Sequence, residues 1–561
     1  MARALESSIV RHRGRIVDIG CALGFAFIAL SYYRARWSGA RPFANLDSDA
    51  GMLASFVAAL EEPAHFVRDP LLHTPSNFAY YATLQVPLVR LLSRVTHDIG
   101  LAFILPTAPL IFTQLLGFYV LGRVLLQRRG LALVLSLMTL PVMNVPELGD
   151  YWGTMGYTTP RDWFQAFLPY LMVAALRFGA RPAAWLAVMF GAGLMMYVHP
   201  VSAPAWTLAL WLSMAWGLPA TLGLRRRTLW MVAAGAMWVV AALPFVATYL
   251  SKHEHGVTAD YAETHAIIAY RFLPGLLDVP ATAVSVATML WHDWSIPLAV
   301  LGTVAVYIRA PAERRRLWMV LTWVGALVVM AFGVPALEHG LASARSAMPV
   351  QFDLVRGWRY LPPLLHLLAL WGLAVLGRPG WWRSSCALAA ACILAGVHLA
   401  ANPPPDAVIE GARALVRDRG FPDVVPPSPR EQILAWIGAH TPAGAAVLPV
   451  DRDDALAVRY VARRAVVHSW KEGGMFAYSN HAALREWFRR SVRMESIVGM
   501  PDPERQLAAL LSAAGDYRAQ YVLLDRAPPL AAIERLGARE VARRGRYALV
   551  EVPAQGRGAS P

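Results

Sequence analysis

Runs of about twenty apolar residues recur along residues 1–401, and they restrict the chain to one class of fold. Inside a bilayer each backbone N–H and C=O must be satisfied by the chain itself, so such runs cross as helices. Eleven segments read as spans: 16–33, 101–122, 131–148, 163–178, 183–198, 201–218, 228–250, 295–309, 317–335, 359–376 and 384–401. The 561 residues are 57% hydrophobic and only 16% charged, too apolar for a soluble chain of this length. The reading is an α-helical polytopic membrane protein with about 11 transmembrane helices.

The formal net charge of +15 is read as topology and not as nucleic-acid binding. Arg11, Arg13 and Arg15 precede the first span. Arg123, Arg128 and Arg129 follow the second, and Arg177 with Arg181, Arg225 to Arg227, Arg314 to Arg316, and Arg378 with Arg383 mark every second loop after that. This alternation puts the N-terminus in the cytoplasm, with Arg34, Arg36 and Arg41 as the exception. The first span is expected to be an uncleaved anchor in the plasma (inner) membrane. Tyr80 to Val95 is apolar but carries Gln85, Arg90 and Arg94. Tyr81, Leu84, Leu88, Leu91 and Val95 recur at spacings of three and four, so it reads as a helix lying along the surface. Cys21, Cys386 and Cys392 all fall inside spans and suggest neither disulfides nor zinc.

Eleven spans place residues from about 405 onward outside. Asn402-Pro403-Pro404-Pro405 is a stiff linker, and residues 402–561 read as a small soluble extracytoplasmic α/β domain beyond a membrane domain of residues 1–401. Its strands are expected at Ala446–Val450, Ala465–Ser469, Tyr521–Leu524 and Tyr547–Val552, and its helices at Arg430–Ala439 and Leu484–Val492. The outer loop 34–100 holds Asn45-Leu46-Asp47-Ser48-Asp49-Ala50-Gly51. Carboxylates at a membrane rim are expensive unless solvated or used.

A first span followed by an acidic outer loop, a surface helix, many further spans and an outer α/β tail resembles the GT-C superfamily of membrane glycosyltransferases. The local carriers are Asp47-Ser48-Asp49, Arg68-Asp69-Pro70, Thr159-Pro160-Arg161, His199-Pro200 and Leu354-Val355-Arg356-Gly357-Trp358-Arg359-Tyr360. The resemblance implies transfer of a sugar from a polyprenyl-phosphate carrier, within membrane lipids, to a glycan, lipid or protein acceptor on the outer face. Asp49 is then the expected base for an acceptor hydroxyl, with Asp47 second, although Asp47 or Ser48 could instead cap a helix. Asp69 is a further carboxylate, or a turn residue before Pro70. A lipid-phosphate leaving group calls for guanidinium forks, and Arg356, Arg359 and Arg161 sit at the expected headgroup level. Arg356 and Arg359 could otherwise snorkel, and Arg161 could pair with Asp162.

His199 is either functional or a hydrogen-bonded structural histidine. The sequence points to no certain cofactor and leaves metal use open: Glu147 and Asp150 could bind a divalent metal with the first-loop carboxylates. His253, Glu254, His255, Asp260, Glu263 and His265 read as a solvated loop or a second metal cluster, followed by a surface helix from Tyr270 to Leu290. Trp470-Lys471-Glu472-Gly473-Gly474 and Tyr478 read as an acceptor loop, with the glycines as a turn. Two other classes stay open: a transporter or flippase of a lipid-linked glycan, and a non-catalytic envelope-assembly subunit. No nucleotide-cradling glycine loop or nucleic-acid module is present in the sequence.

Overall fold

The computed structural model describes residues 2–37, 39, 41–46, 48–79, 83–145, 148–156, 158–252, 261–272, 278–344, 352–378, 381–418, 421 and 425–553. The fold is mostly helical, with a small sheet toward the C-terminus. It separates into two compact units. One comprises Met1–Arg36, Pro106–Ala247 and Leu273–Gly420; the other comprises Trp37–Leu105, Thr248–Phe272 and Phe421–Pro561. Composition alone suggested a single boundary at residue 402. The structure instead groups the acidic loop segment with the C-terminal sheet.

Among the described residues, six helices are long and apolar enough to cross a membrane: Gly14–Arg36, Ile99–Leu125, Leu224–Thr248, Pro311–Ala344, Leu354–Leu376 and Trp382–Ala401. Val279–His292 and Ser295–Arg309, bent by 69° at their junction, would make a seventh. Five of the eleven expected spans do not by themselves form a described helix that is long and apolar enough to cross. Segment 131–148 contains only the nine-residue helix Arg129–Leu137, followed by a hairpin of β1 (Met143–Val145) and β2 (Gly149–Trp152). Nine helical residues rise roughly 14 Å, against a hydrocarbon core of about 30 Å. Segments 183–198, 201–218 and 295–309 form the helices Pro182–Leu194, Ala203–Gly217 and Ser295–Arg309, all under 18 residues. Pro160–Phe178 has 19 residues but carries Arg161, Asp162 and Arg177.

The core of this unit is the stretch Leu354–Leu376, whose most apolar window is 89% buried. A helix apolar on all sides must be surrounded by other helices. Ser295–Arg309 packs on it through Gly302 and Gly372, where a Cβ on either residue would strike the opposing backbone. Small residues at such a crossing let backbones approach in the absence of a hydrophobic drive between helices.

In the second unit β3 (Ala446–Pro449), β4 (Ala465–Val466), β5 (Tyr521–Leu524), β6 (Arg539–Arg544) and β7 (Tyr547–Glu551) form one sheet in the order β4-β3-β5-β7-β6. β3 runs parallel to β4 and β5, and β7 runs antiparallel to β5 and β6. The four expected strands are present, at somewhat shorter lengths. β6 was not expected, because its sequence is mostly charged, as suits an edge strand. Leu448, Val522, Leu510 and Ile533 are among the residues of its core. The helix Ser48–Glu61 packs against the helix Arg452–Tyr460, and the Leu46 amide donates to the Tyr460 hydroxyl at 3.0 Å.

The surface helix is present as Gln85–Thr96, while Tyr80 and Tyr81 lie outside the described residues. Instead of one helix from Tyr270 to Leu290, there are two, Tyr261–Arg271 and Val279–His292. Gly473 and Gly474 do not form a turn; they lie in the helix Glu472–Ser479. A Cβ on Gly473 would meet the Trp487 ring at 2.6 Å, so close packing explains the glycine.

Candidate functional site

Three helix N-termini meet in the apolar unit. Ser202 is the N-cap of Ala203–Gly217, Tyr360 that of Leu361–Leu376, and Thr159 that of Pro160–Phe178. The Tyr360 hydroxyl donates to Ser202 Oγ at 2.8 Å, and His199 Nδ1 lies 2.7 Å from the same oxygen. Phe164, in the first turns of the third helix, packs on Tyr360 with ring centroids 5.5 Å apart and on His199 at 6.2 Å. Trp206 and Trp152 complete the aromatic wall around Tyr360, at 5.9 and 6.0 Å. The β1–β2 hairpin closes the group, because the Tyr151 hydroxyl donates to the Trp358 carbonyl.

Two of the cations expected from the sequence, Arg359 and Arg161, lie within electrostatic reach of this junction. The charges of Arg359 and Arg161 both act on the Tyr360 hydroxyl, together with that of Asp162. Arg359 is buried, whereas Arg356 is half-buried. Both lie in the 3₁₀ segment Phe352–Tyr360, where residues three apart eclipse and share a face. Burial of Arg359 argues against its snorkelling to an interface. Asp162 does not simply neutralise Arg161: it closes a capping box with Thr159, accepting from its amide at 3.0 Å. His199 takes the hydrogen-bonded form, through Ser202. Sequence reasoning missed Ser202 and Tyr360; the spacing of three between His199 and Ser202 was the available signal.

The expected carboxylates belong to the second unit. Asp47 lies outside the described residues. Asp49 stands in the first turn of Ser48–Glu61, is exposed, and pairs with Lys471 at 2.8 Å. An acidic side chain there complements the helix dipole. Asp69 has a different character. It is fully buried and bidentate to Arg459, at 2.7 and 2.8 Å, and it accepts from the amides of Leu71, Leu72 and Val466. Arg459 also binds Glu472. With its lone pairs occupied and no solvent access, Asp69 is a structural clamp, and its bonds to the Leu71 and Leu72 amides give it the expected turn role before Pro70. Arg459 had no local sequence signal.

A cleft of about 470 Å³ opens at the carboxyl ends of β3 and β4, lined by Asp451, Arg452, His468, Trp470, Ser491 and Glu495 among others. In α/β sheets ligands collect at the carboxyl ends of the strands. Arg452 covers the Trp470 ring at 4.4 Å and pairs with Glu495 at 3.1 Å. His468 bonds Ser491 Oγ at 2.9 Å, and burial, followed by Arg490, Arg459 and Arg452, pushes it down to about 3, so it is neutral at pH 7. The expected metal ligand Glu147 lies outside the described residues, as do His253, Glu254, His255 and Asp260, and the side chains of Asp150 and His265 are likewise not described.

No protein-family model matches the sequence, and no curated protein matches it. Solved structures do match. The apo oligosaccharyltransferase of Archaeoglobus fulgidus is 11% identical, with a TM-score of 0.42 over 90% of this chain and 69% of that one. ArnT from Cupriavidus metallidurans, bound to undecaprenyl phosphate, is 12% identical, with a TM-score of 0.38 over 97% of this chain and 99% of that one. These likenesses are distant and decide no activity. The functional reading rests on this chain's own residues.

Proposed function

We propose that the chain is an integral membrane glycosyltransferase that moves a sugar from a polyprenyl-phosphate carrier to an acceptor on the outer face. The observation that carries this reading is the meeting of helix N-termini at Tyr360 and Ser202, with His199 bonded to Ser202 and Arg359 next to Tyr360 in the chain. Each N-terminus brings partial positive charge and amide donors suited to phosphate. Arginine suits an anionic lipid headgroup because its planar fork matches phosphate oxygens. Arg356, on the same face and less buried, would meet the ligand as it enters.

The chemistry would be a single displacement. The acceptor oxygen forms a bond to the anomeric carbon, the bond from that carbon to the phosphate oxygen breaks, and polyprenyl phosphate leaves with the electron pair. The acceptor proton passes to a carboxylate, and the sugar inverts. Asp49 is our candidate base, being an exposed carboxylate. The Trp470 cleft suits acceptor binding, since the charges of Asp451, Arg452 and Glu495 along it match a sugar's hydroxyls.

One observation favours a carrier instead: the 69° break between Val279–His292 and Ser295–Arg309, since broken helices are common in transporters. Purified protein offered a panel of radiolabelled polyprenyl-phosphate sugars separates the two. We expect turnover with at least one donor, a loss on the order of a hundredfold in Arg359→Lys, and no turnover but intact donor binding in Asp49→Asn. Donor binding without turnover across the panel, with donor exchange across liposomes, would support the carrier.

A further inference from the structure

The geometry points to a second ligand site: we propose that Asp293, His366 and His398 bind a divalent transition metal of the zinc class. Asp293 stands at the bend between Val279–His292 and Ser295–Arg309, His366 in the second turn of Leu361–Leu376, and His398 near the end of Trp381–Ala401. One ligand atom of each lies within 4.8 Å of the other two. His366 and His398 are each 2% exposed, and their rings meet edge to face with centroids 4.6 Å apart.

The atoms facing this point have no protein partner. Asp293 Oδ2 and His366 Nδ1 lack a hydrogen-bond partner among the described residues, and His398 has at most the Met138 backbone beside one ring nitrogen, which leaves the other open. Buried polar atoms are rarely left unpaired, because each then keeps its full desolvation cost. Three such atoms, one from each converging residue, are what a cation would satisfy.

Ser295 orients two of the three. Its amide donates to Asp293 Oδ1 at 2.9 Å, which leaves Oδ2 directed elsewhere. Its hydroxyl lies 3.1 Å from His366 Nε2. With the ring proton on Nε2 and donated to Ser295, Nδ1 presents its lone pair. Metal-binding side chains are typically held this way by a second layer of hydrogen bonds. Two imidazoles and one carboxylate suit zinc and its neighbours, whereas calcium and magnesium take all-oxygen sets. Tetrahedral ligands at about 2.1 Å from zinc sit roughly 3.4 Å apart, so binding draws the three inward by about an ångström.

The expected consequence is mechanical. Trp382–Ala401 is lightly packed, with 22% of its apolar window buried. A metal held by His398, His366 and Asp293 would fasten that helix to the central one and to the bend. The proposal is independent of the glycosyltransferase reading, because its readout is metal content.

The test uses the full chain in detergent, stripped with a chelator, dialysed against zinc and measured by elemental analysis. We expect one zinc per chain in wild type and less than a tenth of that in His366→Ala/His398→Ala. Ser295→Ala, which removes no ligand, should weaken zinc binding about tenfold to a hundredfold. Cobalt loaded into stripped wild type should give the visible bands of a tetrahedral nitrogen and oxygen site, a readout that needs no variant to fold. Wild type without zinc or cobalt bands, or zinc retained equally by the double variant, overturns the proposal.

Discussion

Arg459 holds two carboxylates at once, and that single residue ties the segment around Asp69 to the C-terminal sheet. Removing one partner of a buried pair leaves an uncompensated charge and typically costs about 3–5 kcal/mol. We expect Asp69→Asn to destabilise the second unit by about that much, read as earlier thermal unfolding and faster proteolysis of the full chain. A stable Asp69→Asn would show the clamp to be dispensable. The third member adds a pH dependence. Burial, and then the neighbouring Asp69 charge against the pull of Arg459, raises Glu472 from 4.5 to about 7. The folded state therefore binds the extra proton, and this group's contribution to stability falls as pH rises from 4.5 to about 7. His468, lowered from 6.5 to about 3, works the other way: its contribution is lost as pH falls through that window. The two slopes oppose each other where they overlap. In Glu472→Gln only the histidine slope remains, so melting temperature should fall steadily below pH 6.5. A variant profile parallel to wild type would refute this assignment.

At the level of elements, Gln85–Thr96 shows how one helix satisfies two surroundings. Val86, Val89 and Ser93 pack inward, while Leu91 and Val95 are 58% and 77% exposed. The exposed face is the apolar stripe that the spacing defined, and water is a poor neighbour for it. We expect it to rest in the lipid headgroup region. Tryptophan placed at this position as Leu91→Trp should be quenched by shallowly brominated lipids in proteoliposomes. Full emission beside such lipids would put this face in water. The 3₁₀ segment Phe352–Tyr360 is the other informative element. Its tighter winding keeps Arg356 and Arg359 on one face while burying one more deeply. For that reason we expect Arg359→Lys to be the larger of the two defects, since only a fork satisfies a fixed phosphate in a closed site.

For the molecule as a whole the open quantity is the number of crossings. Six crossings would return the chain after Ala401 to the side of its N-terminus; seven or eleven would leave it on the opposite side. The arginine alternation requires the opposite side. Reporter fusions at Gly130 and Pro404 should therefore report different compartments, with Gly130 cytoplasmic. The same compartment for both would reject the alternation and the outer-face reading with it.

The sequence by itself settled the class of fold, because apolar run length and backbone hydrogen bonding leave few alternatives in a bilayer. It also located the surface helix and four of the five strands of the C-terminal sheet, since hydrophobic periodicity is a local property. It brought out Arg161, Arg356 and Arg359 as residue types suited to phosphate and His199 as a rim histidine, but the contact of His199 and Tyr360 through Ser202 depends on helices crossing. Full span lengths were misjudged where an apolar run holds a hairpin or a short helix, because hydropathy does not see where hydrogen bonding changes. Only the tertiary structure could move Asp69 from a candidate catalytic residue to a buried clamp, because its partner Arg459 lies 390 positions away. The same holds for Asp293, His366 and His398. Their ligand atoms converge through helix packing, and no spacing along the chain encodes it.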